Sequence, residues 1–367
     1  MRKKALVASS YPAPYRVAVF QGLGKEYDLD VFFESCKNEN RNADWFCKSG
    51  ELEFHVLDNR EAWKIFWEKL KHISQYDFVL AYDRTTKPGL LAINACILHK
   101  IPYFLNSDGW IYHNNLIKRA IKRIVYPPQN KFASGFFCSG KAAAKGAKLY
   151  GAKDERIFYH PFSSLHQEDI LGAPVSENEK KQIRDKLGLK QKTTVLTIGQ
   201  FIPRKGFDIL IEAWKSIGEK AQLLIIGGGD EREKYEDIIR ENNIKGIRLL
   251  GFMPKAELAE YYKASDIFVL PTREDIWGLV VNEAMAYGLP VITTDNCMAG
   301  VELIENGING YIVKTGSSEE LFDKISLLLR RPELLKEMSV TNLEKIQYWT
   351  IENIVKSHIS NIDQIIK

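Results

Sequence analysis

The sequence is poor in cysteine and has no long apolar run. Its five cysteines, Cys36, Cys47, Cys96, Cys138 and Cys297, are odd in number, scattered and never spaced as Cys-x-x-Cys. That argues against a disulfide framework or a zinc site and fits a reducing cytoplasm. Nothing approaches the ~18 consecutive apolar residues that a membrane-spanning helix requires. The basic start, Met1 to Lys4, leads into only four apolar residues, Ala5 to Ala8. This is too short for the core of a signal peptide and reads as a first strand. A strong charge imbalance is missing as well. At +4 over 367 residues the chain has little global attraction for a polyanion, and no nucleic acid is expected as a partner.

What is present is globular and repeats one pattern. Hydrophobic residues make up 45% and charged residues 27%, and the length suits two domains of roughly 150–190 residues each. Short apolar runs alternate with helical periodicity. Strands are expected at 4–8, 29–33, 54–57, 78–82, 103–105 and 135–138, then near 193–198, 222–226, 247–250, 266–270, 290–294 and 310–313. Helices are expected near 15–24, 61–73, 88–99, 114–126 and 140–150, then near 206–216, 230–242, 255–263, 278–287 and 318–330. Such alternation predicts an α/β fold with parallel sheets wrapped by helices. The composition changes between about 161 and 192, which places a domain boundary there. The expected domains are 1–165 and 190–345, both Rossmann-like. A tail at 346–367, the second of two terminal helices broken near Tyr348–Thr350, is expected to cross back to the first domain.

Three loops in the second half carry chemistry. In the segment Pro271 to Ile292, Pro271 stops one strand, Gly278 starts a helix, Gly288 ends it and Pro290 precedes the next strand. Residues 272–278 thus join a strand's carboxyl end to a helix's amino end, where open α/β sheets bind ligands and free N–H groups favour an anion. Asp275 lies in that loop, and Glu283 follows eight positions later on the helix. They read either as two faces of one ligand site or as two unrelated surface acids. A second strand-to-helix loop holds Arg204 and Lys205 before Gly206. It suits a diphosphate, since Arg binds oxygens bidentately and Lys acts as a point charge; a solvated basic turn is the plainer alternative. A third loop, Gly227-Gly228-Gly229, lets a ligand approach the backbone, but it lacks the Gly-x-Gly-x-x-Gly spacing of dinucleotide folds.

Taken together, these elements resemble the nucleotide-binding domain of the retaining glycosyltransferases of family 4, the glycosyl transferases group 1. The matching pieces are Gly199 to Lys205-Gly206, the Ile-Gly-Gly-Gly-Asp-Glu-Arg-Glu turn at 226–233, Gly-Phe-Met-Pro at 251–254, the Asp-x7-Glu element, and Gly300 to Val313. They cover roughly 195–315. The resemblance implies a GT-B fold, with two Rossmann-like domains whose parallel sheets face each other across a cleft. It implies that Lys205, helped by Arg204, contacts the donor diphosphate and stabilises developing negative charge. Glu283 would hold the ribose, and Asp275, with Glu274 beside it, the transferred sugar. Backbone N–H groups of Gly278 and Leu279 would face phosphate or sugar, with Gly199, Gln200, Gly228, Trp277 and Val280 around them. The base would lie near Phe252, Met253 and Pro254. Two positions depart from the pattern. Gln200 stands where an arginine is usual, and Asp275 is one methylene shorter than the usual glutamate. The implied chemistry moves a sugar, with retention, from a nucleotide-sugar to a hydroxyl of a glycan or lipid-linked acceptor. UDP is favoured only by prior frequency, no metal or other cofactor is needed, and bacterial surface polysaccharide synthesis is the implied setting. A nucleotide-sugar epimerase on the same scaffold and a non-catalytic nucleotide-sugar-binding subunit are the competing readings.

In the first half, the acceptor-side candidates are Tyr11, Tyr15 and Arg16 in the loop after the first strand, with Asp108 and His113 after a later one. Asp108 is the candidate for touching sugar or acceptor. At 114–125, Leu116, Ile117, Ala120, Ile121, Ile124 and Val125 share one helical face, and Lys118, Arg119, Lys122 and Arg123 the other. This basic amphipathic helix either packs on the core or lies on an anionic membrane. Peripheral contact with the inner face of the cell membrane is the expectation under the second reading.

Overall fold

In the computed structural model, residues 2–36, 52–107 and 116–367 are described, with side chains from 120 onward in the last span. Asp108, His113 and Cys47 lie outside the described residues. The chain divides into two compact units, one formed by Met1–Ser164 with Trp349–Lys367, the other by Leu165–Tyr348.

The first unit is a parallel sheet. Its strands are β1 (Lys4–Ser9), β2 (Asp28–Phe33), β3 (His55–Val56), β4 (Phe78–Ala81), β5 (Tyr103–Ser107), β6 (Gly135–Cys138) and β7 (Ile157–Tyr159). The order is β3-β2-β1-β4-β5-β6-β7, with every pairing parallel. The chain winds outward from β1 in one direction and from β4 in the other, so the β1–β4 boundary is a topological switch point. Helices α1 (Pro14–Leu23), α2 (Arg60–Lys71), α3 (Lys87–His99), α4 (Leu116–Phe132) and α5 (Lys141–Leu149) connect the strands. Strand side chains alternate between two buried layers. Leu6, Ala8, Val79, Ala81 and Leu105 pack with Phe66 of α2 and Ile93 of α3. Ala5, Val7, Phe78, Leu80 and Phe104 pack with Phe20 of α1 and with Ile351, Ile354 and Ile362. Those three isoleucines belong to the terminal helix α14 (Ile351–Ile365), which therefore completes this unit's core. Burial of the strands on both faces explains their unbroken apolar runs.

Two features differ from the sequence expectation here. Strand β7 was not anticipated, being only three residues long. Helix α4 also runs past Pro127 and Pro128 to Phe132. Prolines inside a helix remove backbone donors, but tertiary bonds hold the far end. The Tyr103 hydroxyl donates to the Gln129 carbonyl, Asn130 Nδ2 donates to the carbonyl of Tyr150 (3.0 Å), and Arg84 Nη1 donates to Asn130 Oδ1 (2.7 Å).

The second unit repeats the design. It contains α6 (Glu177–Lys186), β8 (Thr194–Ile198), α7 (Phe207–Trp214), β9 (Gln222–Ile226), α8 (Arg232–Glu241), β10 (Ile247–Leu250), α9 (Lys255–Ala264), β11 (Ile267–Leu270), α10 (Leu279–Ala286), β12 (Val291–Thr294), α11 (Met298–Leu303), β13 (Gly310–Val313), α12 (Ser318–Arg330) and α13 (Pro332–Ile346). The sheet order is β10-β9-β8-β11-β12-β13, again all parallel, with its switch point between β8 and β11. The charged stretch before β8 is a helix of this unit. Arg184 and Lys180 on α6 clamp Asp266, at the foot of β11, at 2.6 and 2.7 Å. Fully buried Trp214 and Tyr235 fill the core beside Leu223, Ile225 and Val269.

A small aromatic-imidazole cluster locks α14 to the first sheet. Tyr82 and His358 Nε2 are 2.8 Å apart, and His358 Nδ1 lies 2.9 Å from the Ile354 carbonyl. The carbonyl can only accept, so Nδ1 carries the proton and Nε2 accepts from the tyrosine. His358 stacks on Phe137 with centroids 3.8 Å apart, and His160 sits 5.2 Å away. His160 is buried, and neither of its ring nitrogens has a hydrogen-bond partner. Burial pushes its pKa down to about 3, against about 6.5 in an unfolded chain. The unfolded state thus gains a proton as pH falls below about 6.5, while the folded state does not until about pH 3, so stability declines over that window. Denaturant unfolding of the first unit is expected to lose about 2 kcal/mol more between pH 7 and 5 in the wild type than in His160→Phe. Equal losses in the two proteins would show that His160 is not held neutral by burial.

Candidate nucleotide-binding site

The site is built on the β8–β11 switch point of the second unit. From the carboxyl end of β8 the chain passes Gly199 and Gln200, makes a short 3-10 turn over Pro203–Lys205, and enters α7 through Gly206. Gly206 has φ +70°, and a Cβ there would sit 2.2 Å from the Pro271 carbonyl oxygen. Only glycine allows this approach of the two loops without strain. From the end of β11, residues 271–278 lead into α10 through Gly278, whose φ is +97°. A Cβ at Gly278 would meet the Cys297 sulfur at 2.9 Å. Gly206 and Gly278, the residues that open α7 and α10, supply no side-chain cap, an arrangement that suits an anion at a helix start.

The two loops are laced together. The Arg204 carbonyl accepts from Arg273 N (2.8 Å) and the Thr272 hydroxyl (3.0 Å), and Arg204 Nη1 donates to the Glu274 carbonyl (2.7 Å). Arg273 forms a bidentate pair with Asp208 on α7 at 2.9 and 2.7 Å. Burial alone would raise the Asp208 carboxyl, but the Arg273 hydrogen bonds and charge outweigh it and hold it below the ordinary range. Lys205 Nζ meets Asp275 Oδ2 at 2.6 Å, with Arg204 Nη1 3.8 Å from the same oxygen. Asp275 is fixed through its backbone too: its N–H donates to the Asn296 carbonyl (3.0 Å), and its carbonyl accepts from Met298 N (3.2 Å). Arg204, Lys205, Glu274, Asp275 and Gly278 are thereby gathered at one point.

The third loop joins them. Gly199 N donates to the Ile226 carbonyl, and Phe201 N to the Gly228 carbonyl at 2.8 Å. A Cβ on Gly228 would meet nothing within 4 Å, so this glycine borders open space. Glu283 lies on α10 with Leu279 and Val280 one turn before it. Its Oε2 accepts from the Tyr262 hydroxyl at 3.0 Å. Burial, then the Glu283 charge, drives the Tyr262 pKa far above the ordinary value, so the hydroxyl remains a donor. Tyr262 stacks flat on Tyr287 at 5.0 Å. Phe252 is 74% exposed beyond β10, with Met253 half-buried and Pro254 capping α9.

Trp277 is buried, and its indole N–H donates to Asn282 Oδ1 at 2.9 Å. This bond ties the loop to the helix that follows it. Cys297, beneath the same loop, is a protonated thiol, since burial lifts its pKa to about 11. Tyr262, Arg273, Asp208 and Thr272 were missed from sequence. Thr272 and Arg273 sit inside the 271–292 segment and Asp208 just after the Lys205-Gly206 loop, whereas nothing local points to Tyr262. The chain's one Asp-x-Asp spacing, Asp28-Leu29-Asp30, is no exposed metal pair. It lies within β2, and Asp30 is held by Lys69 at 2.9 Å and Tyr76 at 2.5 Å.

In the first unit, Arg16 Nη1 donates to the Ser9 and Ser10 hydroxyls at 3.0 and 2.7 Å, at the carboxyl end of β1. Tyr15 meets Phe162 edge-on at 5.4 Å. Together with His160 and Tyr82 they line a small pocket at that unit's switch point. Tyr11 is half-buried in the same loop.

Two doubly wound parallel sheets in one chain define the GT-B class of fold. Residues 179–343 match the family Glycosyl transferases group 1, and the chain carries that family's domain. An uncharacterized glycosyltransferase of Haemophilus influenzae is 32% identical over 47% of this chain and 50% of its own length, so this chain spans about half of that relative. The N,N'-diacetylbacillosaminyl-diphospho-undecaprenol alpha-1,3-N-acetylgalactosaminyltransferase of Campylobacter jejuni is 25% identical over 88% of this chain and 85% of its own. The crystal structure of Anabaena HepE in complex with UDP superposes with a TM-score of 0.78 over 98% of this chain and 100% of that one, at 17% identity.

Proposed function

We propose that the chain transfers a sugar, with retention of configuration, from a nucleotide-sugar to a hydroxyl of a glycan or lipid-linked acceptor. The observation that carries this reading is the laced pair of loops, which sets two cations, two uncapped helix starts and two acids around one switch point. In the proposed roles, Lys205 and Arg204 take the diphosphate, and Glu283, oriented by Tyr262, holds the ribose diol. Phe252, Met253 and Pro254 receive the base, and Asp275 and Glu274 face the sugar. As the bond to the anomeric carbon breaks, negative charge grows on the leaving phosphate oxygen. Fixed cations and N–H dipoles aimed there lower the barrier, because they need no reorganisation during the reaction. The departing oxygen takes the acceptor's proton on the same face. The proposed chemistry uses no metal ion. UDP is the favoured nucleotide; the HepE complex with UDP supports it by analogy of fold.

The Campylobacter relative's name describes a lipid-diphosphate acceptor, and helix α4 offers a surface for such a substrate. Among its described side chains, Ile121 is 56% and Ile124 76% exposed, so this part of the apolar face is not used for packing. Residues 116–156 hold ten Lys or Arg against two Asp or Glu, in a chain whose net charge is only +4. Apolar side chains flanked by cations suit an anionic membrane surface. Among the described residues no helix is long and apolar enough to cross a membrane.

Glu283→Ala and Lys205→Ala are each expected to lower turnover more than about tenfold, since hydrogen bonds to charged groups are worth roughly 1.5–3 kcal/mol. Product-nucleotide release with and without acceptor checks this; near-normal rates in either variant would count against the assignment. For the membrane contact, replacing Lys118, Arg119, Lys122 and Arg123 by Glu is expected to abolish co-sedimentation with anionic vesicles. Unchanged binding by that variant would sink the idea.

A further inference from the structure

The Lys205–Asp275 pair places an anion inside an anion site. Both side chains are largely buried, at 12% and 13% exposure, and the pair is short at 2.6 Å. Arg204 leans on the same carboxylate oxygen from 3.8 Å. The other oxygen faces the Trp277 N–H at 3.4 Å, at the entrance to α10. The carboxylate therefore already occupies two of the groups a diphosphate would use, the lysine and the arginine's charge. Its backbone is pinned on both sides, so it cannot swing clear with the loop. The chain also has Gln200 in place of a further cation, which leaves a diphosphate little positive charge that Asp275 does not already oppose.

We propose that Asp275 is an internal competitor of phosphate for Lys205, and that hydroxyls of the bound sugar relieve this competition, so that the site holds the intact nucleotide-sugar in preference to the spent nucleoside diphosphate. The inference rests on the donor-site reading above. A carboxylate is acceptor-only. When an intact donor displaces it from Lys205, sugar hydroxyls supply the hydrogen bonds it loses. A bare nucleoside diphosphate supplies none and leaves a desolvated carboxylate beside like charge. Once the sugar has left, Asp275 returns to Lys205 and the nucleotide departs. Asp275 is thus a positioning and selecting residue for the lysine as well as a sugar contact.

Calorimetric titration with UDP, GDP and ADP tests this, using the full chain as wild type, Asp275→Asn, Lys205→Gln and the double variant. Asp275→Asn is expected to bind the preferred diphosphate about tenfold more tightly than wild type, the size of one charge-assisted hydrogen bond. The gain is expected to vanish in the Lys205→Gln background, which a merely structural effect would not do. The corresponding nucleoside monophosphate should bind wild type and Asp275→Asn alike, which checks that the ribose and base contacts persist. Unchanged or weaker diphosphate binding by a folded Asp275→Asn protein would overturn the inference. A second measurement needs no variant: the wild type should bind the nucleotide-sugar that supports turnover more tightly than the corresponding bare diphosphate, and the reverse order would overturn the proposal. If none of the three diphosphates binds, the donor-site reading falls together with this one. If one binds without the expected tightening, this inference alone falls.

Discussion

The bond on which the second unit's site depends is the grip of Arg204 on the strand-to-helix loop that follows β11. Its carbonyl takes two donors from residues 272 and 273, and its guanidinium returns one to residue 274. Without this lacing, two loops of independent origin would each sample many conformations, and their charges would not converge. Ordering a loop residue costs roughly 1–2 kcal/mol of backbone entropy, so a site built from loops needs such cross-bonds in place before a ligand arrives. The close approach at Gly206 and Pro271 makes them reachable, and the Arg273–Asp208 fork ties the first turn of α7 into the same assembly.

The rest of the architecture serves that point. Parallel strands buried on both faces force every crossover to leave from a carboxyl end, so the loops of β8, β9, β10 and β11 emerge on one side. Where the winding reverses, between β8 and β11, no crossover covers the sheet end, and helix starts face outward. The acids in this region are not passive. Asp275 neutralises Lys205, and Glu283 is fixed by the hydroxyl of Tyr262, itself stacked on Tyr287. Charge at the site is balanced internally, which lets buried cations and carboxylates coexist without a ligand.

Much of this could be read in the residues, for physical reasons. The strands of both sheets were visible because doubly buried parallel strands are written as unbroken apolar runs, as in Phe78–Ala81 or Gln222–Ile226. Short elements were lost: β7 and α11 span too few residues for a period to register. Helix α4 was read as stopping at its prolines, because the bonds that carry it onward come from residues distant in sequence, Tyr103 and Arg84. In the site, Arg204, Lys205 and Asp275 were legible as charges at strand-to-helix turns, and Glu283 as an acid on the helix that follows. Tyr262 was not, since its role exists only through the packing of α9 on α10's neighbourhood. The bond from the Trp277 indole to Asn282 was likewise not legible, since it exists only once α10 has formed.

The central claim is that one switch point in the second unit holds a nucleotide by its diphosphate and ribose. Amide hydrogen exchange across the whole chain, with and without a saturating nucleoside diphosphate, tests it most directly. The account predicts slowed exchange in the segments 199–206 and 275–283, with a smaller change near 251–254. Protection confined to the first unit, or spread evenly with no change at 199–206 and 275–283, would contradict it.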